Sequence, residues 1–245
     1  MDPDIDVKRD PETVDSSRGE LAFAGGLMVV GLLVNAGSTL MHPTGAEDDH
    51  RTIFLEYAAS GTWVAVHLGQ FVGVLLALSG LLVLYRAMRA GGRSLLLGHL
   101  AAAATVATAA IWAVLQGLDG VGLKLAVDAW VGASGPERSV RFANAETVRW
   151  LEWGFQSYFR VLLGVTFALY GAAILAGRVV AGWLGWTAVF ASLCSTAMGV
   201  DVGYSGLASG LQDALALPFL VGALVFAVGV LTTGVRQRGG NPGRA

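Results

Sequence analysis

The sequence predicts an all-α fold: an integral membrane bundle of six transmembrane helices, with a polar, partly helical outer segment between the third and fourth. Three observations carry this expectation. Apolar residues make up 54% of the 245 residues and charged residues only 14%, where average soluble domains carry about 25% charged. The mean hydropathy is +0.61, and the apolar residues are gathered into long runs rather than spread evenly. Basic and acidic residues also divide between alternate loops, as the positive-inside rule describes.

Six stretches reach the roughly 20 apolar residues that a spanning helix needs. They are Leu21 to Met41, Trp63 to Tyr85, Leu95 to Leu118, Phe155 to Ala176, Trp183 to Tyr204 and Leu211 to Val235. Together they define one transmembrane domain over 21–235. Residues 1–20 are acid-rich and read as a disordered cytoplasmic tail, with a partner-binding tail as the alternative. Residues 236–245 read as a second cytoplasmic tail. No basic n-region precedes the first run, so no cleavable signal is expected.

Orientation follows from the loops. Arg86, Arg89 and Arg93 follow the second span, Arg178 the fourth, and Arg236, Arg238 and Arg244 the sixth, with no acid among them. The loop after the first span instead holds Glu47, Asp48, Asp49 and Glu56 against Arg51. This places both termini on the cytoplasmic side of the plasma membrane. Tyr57, Trp63, Trp130, Trp150, Trp153 and Tyr158 fall near the outer boundary. Tyr85, Trp183 and Trp186 fall near the inner one, at the depth that amphipathic rings favour.

Small residues recur every fourth position, at Gly69, Gly73 and Ala77 in the second span and at Ala168, Ala172 and Ala176 in the fourth. Such ridges let helices approach closely in lipid. Between the third and fourth spans, Gly117, Gly120 and Gly122 are expected to break or bend the helix end. Lys124 and Asp128 are an i,i+4 pair on a short surface helix from Leu123 to Val131. Ser134-Gly135-Pro136 reads as a new helix start, running through Arg149 into the fourth span, with Val140, Ala143 and Val148 covering one face.

Polar residues interrupt the apolar runs on one side only. At helical spacing, Asn35, Ser38 or Thr39, and His42 share a face of the first span. Trp63, His67 and Gln70 share one on the second, and Trp112, Gln116 and Asp119 one on the third. Arg149, Glu152, Gln156 and Arg160 line the fourth. Polar groups in hydrocarbon are costly, so they mark candidate sites. The candidate ligand-binding set is His67, Gln70, Gln116, Asp119, Glu152, Gln156 and Arg160. Arg160 needs a partner, and Asp119 and Asp201 are candidates on other helices; a helix-fixing ion pair is the alternative role.

His67 has three readings: a hydrogen-bonded core histidine, a proton-transfer or ligand-binding group, or a metal or haem ligand. Candidate metal ligands are His42, His50 and His67, with Asp48, Asp49, Asp119 and Glu152 as carboxylates to complete a set. No fixed ligand spacing such as HExxH occurs. His99 lies too far along its helix from His67 to share a haem, which leaves His42 with His67 as the pair at matching depth. No cofactor is specified by motif. Cys194 is the single cysteine, so no intrachain disulfide forms, and it reads as a packing residue. No nucleotide loop, serine-nucleophile motif or nucleic-acid motif is present.

Several segments resemble an uncharacterised family of bacterial multi-pass membrane proteins. They are His42-Pro43-Thr44-Gly45 followed by acids, Trp63 with His67 and Gln70, Asp119-Gly120 with Leu123-Lys124, Asp128 and Trp130, and Arg149-Trp150-Leu151-Glu152-Trp153-Gly154. The resemblance covers about residues 42–160, implies a six-span membrane fold and implies no reaction. The leading expectation is an outward-facing polar cavity for a small or amphiphilic ligand, with the bilayer as the chain's environment. A membrane-embedded, metal-assisted enzyme using His67, Asp119 and Glu152 is the second reading. A scaffold or sensor subunit is the third. The sequence does not specify an oligomeric state.

Overall fold

The computed structural model describes residues 11–43, 45–89, 95–177 and 180–239. Residues 1–10, Thr44, Arg93, Arg178 and Arg244 fall outside them. The fold is all-α. Among the described residues, six helices are long and apolar enough to cross a membrane: α1 (Pro11–Thr39), α3 (Trp63–Arg89), α4 (Leu95–Gly117) with its continuation, α6 (Gly135–Gly177), α7 (Gly182–Ser205) and α8 (Gly210–Gly239). The chain is therefore built as a multi-pass membrane bundle. α1 begins within the stretch read as a disordered tail, and Glu20 there pairs with Arg86 of α3 at 3.1 Å.

The spanning helices close into a ring. α1 packs on α3, α3 on α4, α4 on α6, α6 on α7, α7 on α8, and α8 returns to α1. The core of that ring is apolar, with Leu81, Leu84, Tyr170, Ile174, Leu184 and Phe226 almost wholly buried. Tyr170 donates its hydroxyl to the Leu81 carbonyl at 2.7 Å, tying α6 to α3.

Close approach sets the ring's neighbours. A Cβ on Gly31 would lie 2.4 Å from the Gly73 carbonyl oxygen, and one on Gly25 would lie 2.3 Å from the Leu231 nitrogen. So α1 sits between α3 and α8 on glycine seams, and helix backbones meet where no side chain fits. The ridge at Gly69 and Gly73 does face α1, as its spacing predicts. The ridge in α6 falls elsewhere. Gly164 and Gly171 meet α7, at Thr196 and Gly185, whereas Ala176 is exposed. Alanine spacing on its own does not reveal which side of a helix a neighbour covers.

A helical cap covers one end of the ring. It comprises α2 (His50–Ala59), a π-helical segment (Leu118–Leu123), α5 (Lys124–Gly132) and the first half of α6. At 1.5 Å per residue, α6 is about 65 Å long, roughly twice the hydrocarbon thickness, so it both spans the bundle and builds the cap. It starts at Gly135, whose φ of 58° makes the turn after α5. Lys124 and Asp128 pair at 2.6 Å as expected. The glycines at 117–122 do not break the helix. They widen it into a π turn, and the chain continues.

The cap has its own core of Ile53, Phe54, Tyr57, Trp63, Leu123, Val127, Trp130 and Ala145. Tyr57, Trp63 and Trp130 are thus buried packing residues and not boundary aromatics. Trp150, Tyr158, Trp183 and Trp186 are exposed, as boundary aromatics should be. The covered face of early α6 is Phe142, Ala145 and Arg149, rotated away from the expected Val140 and Ala143, which are exposed. The reason is aromatic: Phe142 packs on Phe54 and Trp130.

Asp49 caps α2, accepting from the Thr52 hydroxyl at 2.6 Å and the Thr52 backbone N–H at 3.2 Å. These bonds hold its carboxyl below the ordinary 3.8. Because the folded value is lowered, the cap's contribution is present above that pH and lost as pH falls through the lowered value. Amide exchange should show α2 loosening below about pH 4, and Asp49→Ala should remove that pH dependence. Gly31→Ala should destabilise the detergent-solubilised protein by about 1–3 kcal/mol through overpacking. Gly37→Ala, where a Cβ meets nothing within 4 Å, should be neutral or stabilising, and thermal unfolding checks both.

Candidate functional site

Four groups meet where the cap sits on the ring. α3 contributes Trp63 and His67, one turn apart on its buried face. The loop after α1 contributes His42. The π segment contributes Asp119. A π turn aims one residue away from ordinary helical register and recurs at functional sites. Here the Asp119 backbone carbonyl accepts from the Trp63 indole N–H at 3.1 Å, and its carboxylate Oδ2 lies 3.0 Å from His67 Nε2. Gly120 makes this approach feasible, since a Cβ there would lie 2.6 Å from the His67 Cβ.

The histidine tautomers follow from backbone contacts. His67 Nδ1 lies 2.8 Å from the Trp63 carbonyl, and His42 Nδ1 lies 2.7 Å from the Pro43 carbonyl. A carbonyl can only accept, so each Nδ1 carries a proton. In the neutral ring this leaves the lone pair on Nε2. The two rings touch, with centroids 5.2 Å apart, and His42 also packs on Trp63 at 4.9 Å. Donor atoms of His42, His67 and Asp119 all lie within 4.8 Å of one another. Asp119 Oδ1 is buried and has no hydrogen-bond partner among the described residues.

A second cluster lies beside the first. Arg149 is only 2% exposed. It donates to Glu152 Oε2 at 2.5 Å and pairs with Glu47, which also accepts from the Tyr57 hydroxyl at 3.1 Å. Its guanidinium stands over the Tyr57 and Trp153 rings. The Tyr57 ring is 4.2 Å from Trp63 and 6.0 Å from His42, so it joins the two clusters. Burial pushes the Tyr57 hydroxyl well above its ordinary range; Arg149 opposes that shift, while Glu47, Glu152 and Asp119 add to it. Tyr57 therefore stays protonated and acts as a donor.

The expected site residues separate into groups. His67 and Asp119 come together, and Gln116 lines the same cleft as His67. Glu152 joins the arginine cluster. Gln70 instead donates to Thr39 at 3.1 Å, linking α3 to α1. Arg160 faces α7, with Gln156 beside it on α6. The Gln156 amide oxygen accepts from Arg160 Nε at 3.1 Å, and Arg160 Nη1 lies 3.3 Å from the Met198 sulfur. The partners expected for Arg160 are taken: Asp119 by His67, and Asp201 by Ser209 and Gln212. His50 stands apart, against Glu146 at 3.1 Å and stacked on Phe54. His42 and His67 touch directly, which leaves no slot for a porphyrin between them.

Glu47, Tyr57 and Trp63 join these clusters although the candidate set leaves them out. Glu47 is one of four neighbouring acids, and nothing local distinguishes it from Asp48 or Asp49. Tyr57 and Trp63 look like boundary aromatics until the cap is folded over them.

Removing one partner of a buried ion pair strands the other, at a cost of about 3–5 kcal/mol. Arg149→Met should therefore destabilise by about that amount, measured by denaturation of the solubilised protein. Arg141→Met breaks an exposed pair with Glu137 and should cost under about 1 kcal/mol.

No family model matches this chain, and no curated protein or solved structure matches it either.

Proposed function

We propose that this chain is a membrane-embedded metal protein in which His42, His67 and Asp119 hold one divalent first-row metal, at the outward end of the bundle. The carrying observation is the arrangement of the histidines. Both rings have Nδ1 fixed on a backbone carbonyl, with Nε2 left as the ligating nitrogen. Metal-binding histidines almost always have their second nitrogen engaged in this way.

Geometry and charge both support the reading. Tetrahedral donors at about 2.1 Å from a metal lie about 3.4 Å from one another. His67 Nε2 and Asp119 Oδ2, at 3.0 Å, already have nearly that separation, and the third donor lies within 4.8 Å of both. Asp119 pairs with no lysine or arginine among the described residues, only with His67, and a cation at the site supplies the positive charge it lacks. Two imidazoles and one carboxylate suit Zn²⁺ or Fe²⁺ and leave a position open for water or a substrate oxygen. A metal with an open position polarises what binds there, so the site is suited to metal-assisted chemistry on a small or amphiphilic molecule.

A metal-free reading is favoured by one observation. Both His67 nitrogens face acceptors, so the His67–Asp119 contact holds a shared proton without any metal. The two readings are separated by elemental analysis of protein purified in detergent and re-equilibrated with zinc or anaerobic iron(II). About one metal per chain is expected, falling below one tenth in His67→Ala and Asp119→Ala with the helical circular dichroism retained. Wild-type protein that stays below one tenth of a metal per chain would overturn the metal reading and leave the proton-sharing pair.

A further inference from the structure

Arg160 stands on the inward side of α6. At helical spacing it shares a stripe with Phe167, Tyr170 and Ile174, which belong to the buried core of the ring. Gln156 precedes it by one turn on the same stripe. The exposed residues of this stretch, Tyr158 and Val165, point to the opposite side. Phe167 is only 7% exposed, and Tyr170 and Ile174 are fully covered. Gln156 and Arg160 nevertheless keep accessible surface. The interior that is filled at the level of Phe167 is therefore open at the level of Arg160, about 12 Å along α6 from Glu152.

The guanidinium at this point has no counter-charge. No carboxylate pairs with it among the described residues, and Asp201, one turn from Met198, is engaged by Ser209 and Gln212. Its neighbours are neutral. The Gln156 amide oxygen accepts from Nε at 3.1 Å and from Nη2 at 3.3 Å, which fixes one edge of the guanidinium. The remaining edge, made by Nη1 and Nη2, meets the Met198 sulfur, 3.3 Å from Nη1. A thioether is a weak acceptor on an adaptable side chain, and the guanidinium has more N–H donors than these two neighbours satisfy. A cation in a membrane bundle is costly and marks a site when no internal partner neutralises it. The group that matches an oriented guanidinium edge is a carboxylate or phosphate, held by two parallel N–H···O bonds.

We infer that Arg160, oriented by Gln156, is a binding site for an oxyanion: the carboxylate or phosphate group of a ligand in the bundle interior. The Met198 side chain yields the free edge of the guanidinium to that group. The site is separate from His42, His67 and Asp119 and does not rest on the metal reading.

The test uses the full chain in neutral detergent, treated with EDTA, and two radiolabelled probes: inorganic phosphate and dodecyl phosphate. A single saturable class of site is expected for dodecyl phosphate, and dodecanol, with the same chain and no charge, should not compete. Binding of inorganic phosphate as well supports a site for free anions; binding of dodecyl phosphate alone supports a site for the headgroup of an amphiphile. Arg160→Met should lower the affinity about tenfold or more, as expected for losing charge-assisted hydrogen bonds. Arg160→Lys keeps the charge without the two-pronged edge and should bind more weakly than the unaltered chain but more tightly than Arg160→Met. His67→Ala and Asp119→Ala should bind as the unaltered chain does, so this site stands if the metal reading falls. Thermal unfolding without probe gives a second readout. Arg160→Met should leave the transition unchanged or raise it, because an unpaired charge has been removed. A lowered transition that Asp201→Asn restores would make Arg160 half of a structural ion pair and overturn the inference. Absence of saturable binding, affinity unchanged in Arg160→Met, or equal competition by dodecanol would overturn it too.

Discussion

The guanidinium of Arg149 is the constraint that the site end of the molecule is built around. A buried charge must be paired. Here the pairing draws in two parts of the chain that share no helix: Glu47 from the loop after α1, and Glu152 one turn along α6. Glu47 also takes the Tyr57 hydroxyl from α2. The loop that carries His42 is thereby held against the ring, and Tyr57 is laid on Trp63. That anchor adds to the packing of α2 in the cap core and fixes the stretch between His42 and α2.

The second determinant is the π turn at Leu118–Leu123. Holding an ordinary helix through this point would leave Asp119 in α-helical register. The wider turn instead delivers both its carbonyl and its carboxylate to α3, on Trp63 and His67. Gly120 lets the backbone come down onto His67. An irregular backbone inside a membrane bundle is tolerated where its polar groups find protein partners, and here Trp63 provides one. One residue therefore seats the cap on the ring and also completes the donor set.

His67 meets Asp119 and also lines a cleft between α3 and α4. The interior of the ring below the site is largely apolar. The opposite end is filled by Leu84, Ile174, Leu184 and Phe226, and the polar groups are concentrated under the cap.

Much of the fold was legible in the sequence. The six spans, the Lys124–Asp128 pair, the helix start at Gly135 and the continuous run into the fourth span all follow from local rules of length, periodicity and turn chemistry. The pairing of His42 with His67 was legible as a match in depth. What the sequence did not determine was rotation about each helix axis. Arg149, Glu152, Gln156 and Arg160 share one stripe, yet the first two enter the cap while Arg160 turns to α7. Helical periodicity says which residues lie on the same face, but the neighbour that covers that face is chosen by packing. In this protein the choice was made by glycine seams at Gly31, Gly73, Gly164 and Gly171, and by aromatics folded into the cap. The sequence by itself determined a membrane-spanning bundle with polar groups toward one end. Only the tertiary structure decided that His42, His67 and Asp119 meet there, because that depends on a π turn and a buried arginine acting between segments far apart in the chain.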